Sequence, residues 1–80
     1  MKLSDRAKEL LIIIEKATDK DTSGQVVRYF VPTINSNVSG AGDARCLRSL
    51  EDKGLIKRMT ATSYSYAITE EGELITQTLE

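Results

Sequence analysis

The chain of 80 residues contains no histidine, a single cysteine and a single proline. Without histidine, the commonest general base and metal ligand is missing. One cysteine, Cys46, excludes an internal disulfide, and it leaves no set of residues for a zinc site of the usual ligands. There is no apolar run of the roughly 18 residues that a membrane-spanning helix needs. The opening "MKLSDRAKEL" carries too many charges ahead of its first apolar run to be a secretory signal. No glycine-rich phosphate loop is present; "SGAG" lacks both the spacing and the flanking elements of one. The expectation is a non-enzymatic protein without cofactor, metal or membrane contact, in the reducing cytoplasm.

What is present fits one globular domain spanning residues 1–80, with 40% apolar and 29% charged residues. The formal net charge of −1 conceals an uneven distribution. Residues 1–21 balance five basic against five acidic groups. Residues 22–66 carry six basic groups against three acidic ones, and residues 67–80 carry four glutamates and no base. The positive middle of the chain points to an anionic partner; the alternative, which composition alone favours, is a mixed solvated surface. Against that, the sequence pI of about 5.4 lies far below the basic values usual in dedicated nucleic-acid binders.

Ser4 is placed to cap a first helix, with Asp5 at the positive end of its dipole. Ala7, Leu10, Leu11, Ile14 and Ala17 recur at helical spacing, and Ile12 and Ile13 widen that stripe. A second, shorter helix is expected over 23–31, capped by Thr22 or Ser23, with Val26, Val27 and Phe30 inward and Pro32 ending it. "PTINSNVSGAG" reads as a polar connection anchored by Ile34 and Val38. A third helix follows between Ser39 and Lys53, with Cys46, Leu47 and Leu50 inward and Gly54 in the left-handed position just past its end. "LIKRM" and "YSYAIT" form an antiparallel hairpin, Tyr64, Tyr66 and Ile68 alternating with Ser65, Ala67 and Thr69. Thr69 caps a last helix whose Leu74, Ile75 and Leu79 face in. The class is α+β, mainly helical.

"LRSLEDKGLIKR", followed after a short hairpin by "YSYAITEEG", resembles the winged helix-turn-helix family of DNA-binding domains. The twenty positions between Phe30 and Leu50 resemble the PadR-like spacing more than the tighter MarR-like one. The resemblance implies three helices, a two-stranded wing and a C-terminal helix. It also implies that the third helix (about 39–53) reads a major groove while the wing (about 55–69) touches the backbone. The wing tip "TATS" departs from the pattern, because it lacks the arginines that many such wings carry.

With Cys46, Leu47 and Leu50 inward, Arg45, Arg48, Ser49 and Asp52 fall on the outward side of that helix. Arginines there reach guanine edges or phosphates; alternatively they pair with Glu51 or Asp52 at helical spacing. Gly40, Ala41 and Gly42 permit close approach to a duplex, and Ser39 either caps the helix or meets a phosphate. Asp43, at the front of the same face, repels phosphate or neutralises the helix dipole. Arg28, on the second helix, is a phosphate contact or a solvated side chain. Lys57 and Arg58 leave the hairpin on opposite faces, so at most one of them points at a duplex. The expected function is a duplex-DNA-binding transcriptional regulator, with a homodimer formed through the first and last helices and half-sites about 34 Å apart. The alternative is a protein–protein adaptor, which the acidic pI and uncharged wing tip favour.

Overall fold

A computed structural model describes residues 3–31, 40–60 and 65–79, with only the backbone of Gly40 and Ala41. Helix α1 (Asp5–Ala17) leads to a small hairpin of β1 (Asp19–Lys20) and β2 (Val26–Arg28). Helix α2 (Gly40–Asp52), a second hairpin of β3 (Ile56–Arg58) and β4 (Tyr66–Ile68), and helix α3 (Glu70–Leu79) follow. The described residues thus form a small α+β fold of three helices and two antiparallel hairpins. None of these helices is long and apolar enough to cross a membrane.

The first helix forms as its sequence dictates. Ser4 Oγ accepts the Ala7 amide at 3.2 Å, and Ala7, Leu10, Leu11 and Ile14 are buried. Those four side chains meet Phe30, Leu47, Leu50, Leu55, Ile56, Tyr66 and Ile68 in a single core. Ile13 and Ala17 pack against its edge. Thr18 ends the helix and joins it to the second hairpin: its hydroxyl donates to Ile14 O at 2.7 Å and accepts the Ile68 amide at 3.2 Å.

The second helix expected over 23–31 is replaced by a hairpin. Asp21 organises the turn, its Oδ1 accepting the amides of Ser23 and Gln25, each at 2.9 Å, and the Ser23 hydroxyl at 2.6 Å. Gly24 completes the turn with φ +87°, a conformation open to glycine. An aspartate that binds its own downstream amides competes with helix nucleation, and four of the five residues Val26–Phe30 are β-branched or aromatic. Val27, expected inward, is consequently 63% exposed, whereas Phe30 is fully buried. Phe30 and Tyr66 exchange backbone hydrogen bonds of 2.9 and 3.1 Å, which lays this segment along the free side of β4. The loop anchors Ile34 and Val38 lie outside the described residues.

At the end of α2 the glycine reading holds in detail. Gly54 has φ +77°, its amide donates to Glu51 O at 2.9 Å, and the Leu55 amide donates to Leu50 O at 3.0 Å. This paired closure satisfies two end carbonyls of α2 and turns the chain into β3. Ile56 pairs with Ile68, Lys57 with Ala67 and Arg58 with Tyr66. The expected alternation of β4 is absent, because Ser65, Tyr66, Ala67 and Ile68 are all buried; Tyr64 lies outside the described residues. A strand covered on both faces loses the two-residue period of a half-exposed one.

Helix α3 starts at its expected cap: Thr69 Oγ1 accepts the Gly72 amide at 3.2 Å and donates to Gly54 O at 2.6 Å. Its buried face is Gly72 and Thr76, with Ile75 at the margin; Leu74, expected inward, is 63% exposed. Gly72 permits an approach so close that α3 presents backbone, not a large side chain, to the Leu55 carbonyl. That contact rotates Leu74 away from the core.

Candidate nucleic-acid interface

Helix α2 divides into two faces. Leu47 and Leu50 are buried and Cys46 packs half-buried at the core edge, while Gly42, Ala44, Arg45, Arg48 and Asp52 are exposed. Arg45 and Arg48, one turn apart, therefore project together from the outer side. Among the described residues, no ion pair or hydrogen bond engages either of them. The alternative pairing with Glu51 or Asp52 is not formed.

Glu51 turns instead to the hairpin. Arg58 Nη2 lies 3.4 Å from Glu51 Oε1 and 3.4 Å from Tyr66 Oη, and its guanidinium carbon stands 5.8 Å from the centre of the Tyr66 ring. Hydrogen bonding to Tyr66, followed by the charges of Tyr66 and Glu51, holds the Arg58 guanidinium above its ordinary pKa. Together Ala44, Arg45, Arg48, Arg58 and Tyr66 line an open cleft of about 220 Å³ between α2 and the loop-proximal Arg58–Tyr66 pair of the β3–β4 hairpin. Tyr66, 1% exposed, is its fixed wall. The small Ala44 leaves the space beside it open.

Asp43 is not at the front of the outward face. Arg6 of α1 reaches across and donates from Nε to Asp43 Oδ1 and from Nη2 to Asp43 Oδ2, both at 2.8 Å. The Arg6 guanidinium, which also contacts Glu9 at 3.0 Å, is raised in pKa chiefly by the Asp43 bond. A two-pronged arginine–carboxylate pair fixes orientation as well as distance, so it sets how α2 starts relative to α1. It also neutralises the carboxylate expected to repel phosphate.

The remaining residues of the expected site scatter. Lys57 is exposed on β3, on the face opposite Arg58 and away from the cleft. Ser49 is half-buried and its hydroxyl accepts from Lys53 Nζ at 2.6 Å. Gly42 is exposed in the first turn of α2; Ala41 is placed there by backbone alone, and Ser39 lies outside the described residues. Arg28 is on strand β2, not on a helix, 3.5 Å from Asp19, so its expected role of crossing a backbone from a second helix has no helix to support it. The sequence reading missed Ala44 and placed Tyr64 and Tyr66 on the inner face of their strand in preference to a groove contact. The Arg58–Tyr66 register would have revealed the tyrosine, had the hairpin pairing been fixed first, whereas the signal for Ala44 is its place one turn before Arg48 on α2. No family model, curated protein or solved structure matches the chain.

Proposed function

We propose that the outer face of α2, with the Arg58–Tyr66 end of the β3–β4 hairpin, binds duplex DNA, and that the protein acts as a small transcriptional regulator. One observation carries this reading: Arg45 and Arg48 stand exposed without an intramolecular partner among the described residues, and they share one cleft with Arg58. Glu51 offsets the charge of Arg58, and the guanidinium groups of Arg45 and Arg48 repel one another until an anion joins them. The 13 residues of α2 make a rod about 20 Å long, and a helix fits the roughly 12 Å width of a major groove. The turn at Gly54 leads that helix straight into a hairpin, the order that the winged helix-turn-helix resemblance also supplies.

The second reading, a protein–protein adaptor, is favoured by Val27 and Leu74, each 63% exposed. Val27 lies on β2, whose partner strand β1 is tied to α3, the helix of Leu74, by the Lys20–Glu73 pair at 2.8 Å; both residues lie outside the arginine cleft. The same exposed Leu74 would serve a homodimer through α3.

The test is an amide NMR titration of the labelled protein with generic duplex DNA at low and moderate salt. DNA binding through this face gives shifts at 42–52 and 56–60 that salt reverses, because phosphate neutralisation releases counterions. No shifts at low salt would overturn the DNA reading and leave the adaptor.

A further inference from the structure

Resting on the duplex-DNA reading, we infer that the cleft between α2 and the hairpin is a seat for a single backbone phosphate, and that Glu51 competes with that phosphate for Arg58. Three guanidinium groups, from Arg45, Arg48 and Arg58, border the cleft, and one carboxylate, Glu51, reaches one of them. Among the described residues, no carboxylate pairs with Arg45 or Arg48. The geometry favours a phosphate over a base edge. A guanine edge offers two in-plane acceptors to one arginine; a phosphate presents oxygens in several directions to several arginines. Arg58 comes from a strand paired to Tyr66, with its guanidinium beside the tyrosine ring and hydroxyl, so it stays at the cleft wall and does not extend into a groove. The cleft's 220 Å³, of which one water needs roughly 10–15 Å³, accommodates a phosphate group with several waters.

Glu51 is the internal stand-in. Its 3.4 Å contact with Arg58 is longer than the roughly 2.7–2.9 Å of a strong charge-assisted bond, and both side chains keep about a third of their exposure (35% for Arg58 and 31% for Glu51). An arriving phosphate therefore displaces a weak contact, and removing the Glu51 charge makes the seat more attractive. The contacts made here are independent of sequence. They position α2 in register on the duplex.

Fluorescence-anisotropy titrations with two duplexes of unrelated sequence, between about 50 and 200 mM salt, test the seat. Arg58→Gln weakens both duplexes equally and lowers the slope of log affinity against log salt by about 0.9, so its deficit shrinks about 3.5-fold across that range. Glu51→Gln binds both duplexes several-fold more tightly than the wild type. That gain is a result disruption of the fold does not produce, and it decides the matter if Arg58→Gln fails to fold. Unchanged or weaker binding by Glu51→Gln, or an Arg58→Gln loss confined to one duplex, overturns the phosphate seat. If Arg45→Ala and Arg48→Ala lose affinity while Arg58→Gln keeps the wild-type slope, DNA binding stands and the seat falls. If the wild type binds neither duplex in a salt-dependent way, both fall together.

Discussion

Replacing Gly72 by alanine tests the contact that orients α3, and two physical terms of opposite sign meet there. In an isolated helix the change stabilises by about 0.8–1.0 kcal/mol, because alanine loses less backbone freedom. In this fold a Cβ at Gly72 runs into the Leu55 carbonyl oxygen and lies 2.7 Å from Ile68 Cγ1 and 3.2 Å from its Cδ1. Neither neighbour has room to yield. Leu55 and Ile68 are 1% and 2% exposed, and the Leu55 carbonyl already accepts the Thr69 amide at 3.1 Å while the Leu55 amide is held by Leu50. Overpacking of this kind costs about 1–3 kcal/mol, and contact with a backbone oxygen belongs at the upper end. The net expectation is a loss of about 1–2 kcal/mol, or a fall in Tm of about 4–16 °C for a domain this small. Gly42→Ala is the control: it is also helical, exposed, and its added Cβ meets nothing within 4 Å, so it should gain up to about 1 kcal/mol. Thermal and urea unfolding followed by circular dichroism measure both. If Gly72→Ala matches Gly42→Ala in sign, α3 does not pack on Leu55 as described.

Two further outcomes follow from the hydrogen-bond pattern. Thr18→Val keeps the shape but removes the acceptor for the Ile68 amide, on a residue 2% exposed, so stability should fall by about 1–3 kcal/mol. Faster hydrogen exchange at Ile68 should accompany that loss, and unchanged exchange would show that Thr18 does not join α1 to β4. In the first hairpin, bonds from the Ser23 hydroxyl first and the Gln25 amide second hold the Asp21 carboxyl below its ordinary pKa of 3.8. Because the folded value is depressed, this stabilisation is present above pH 3.8 and disappears as pH falls through the folded value. The Ser23 and Gln25 amide resonances should titrate with a midpoint below 3.8, and Asp21→Asn should abolish that titration.

Ends of elements were the most legible part of this chain. Ser4, Gly54 and Thr69 each do what their residue type permits at a helix boundary, because a cap is satisfied by neighbours three or four positions away. The inward faces of α1 and α2 were legible for the same reason: a periodic apolar stripe has one way to be buried. The segment 23–31 was not. Its apolar residues suit a short helix and a strand alike, and the decision fell to Asp21, whose carboxylate binds the turn, and to Tyr66, whose backbone pairs with Phe30 from 36 positions away. Val27 and Leu74 were misplaced because their elements' orientations are set by that bridge and by the Gly72 contact, neither of which has a local signature.

The candidate site divides along the same line. The sequence alone put Arg45 and Arg48 on the outer side of a helix ending at Gly54, since helical spacing and a left-handed glycine suffice for that. Tertiary structure alone decided which charges meet. It turned Asp43 inward onto Arg6, 37 positions away, gave Glu51 to Arg58, and left Arg45 and Arg48 facing a cleft walled by Tyr66. Local structure is governed by interactions within a turn or two of the chain, whereas charge pairing depends on how separate elements pack, and that is fixed only when the shared core closes.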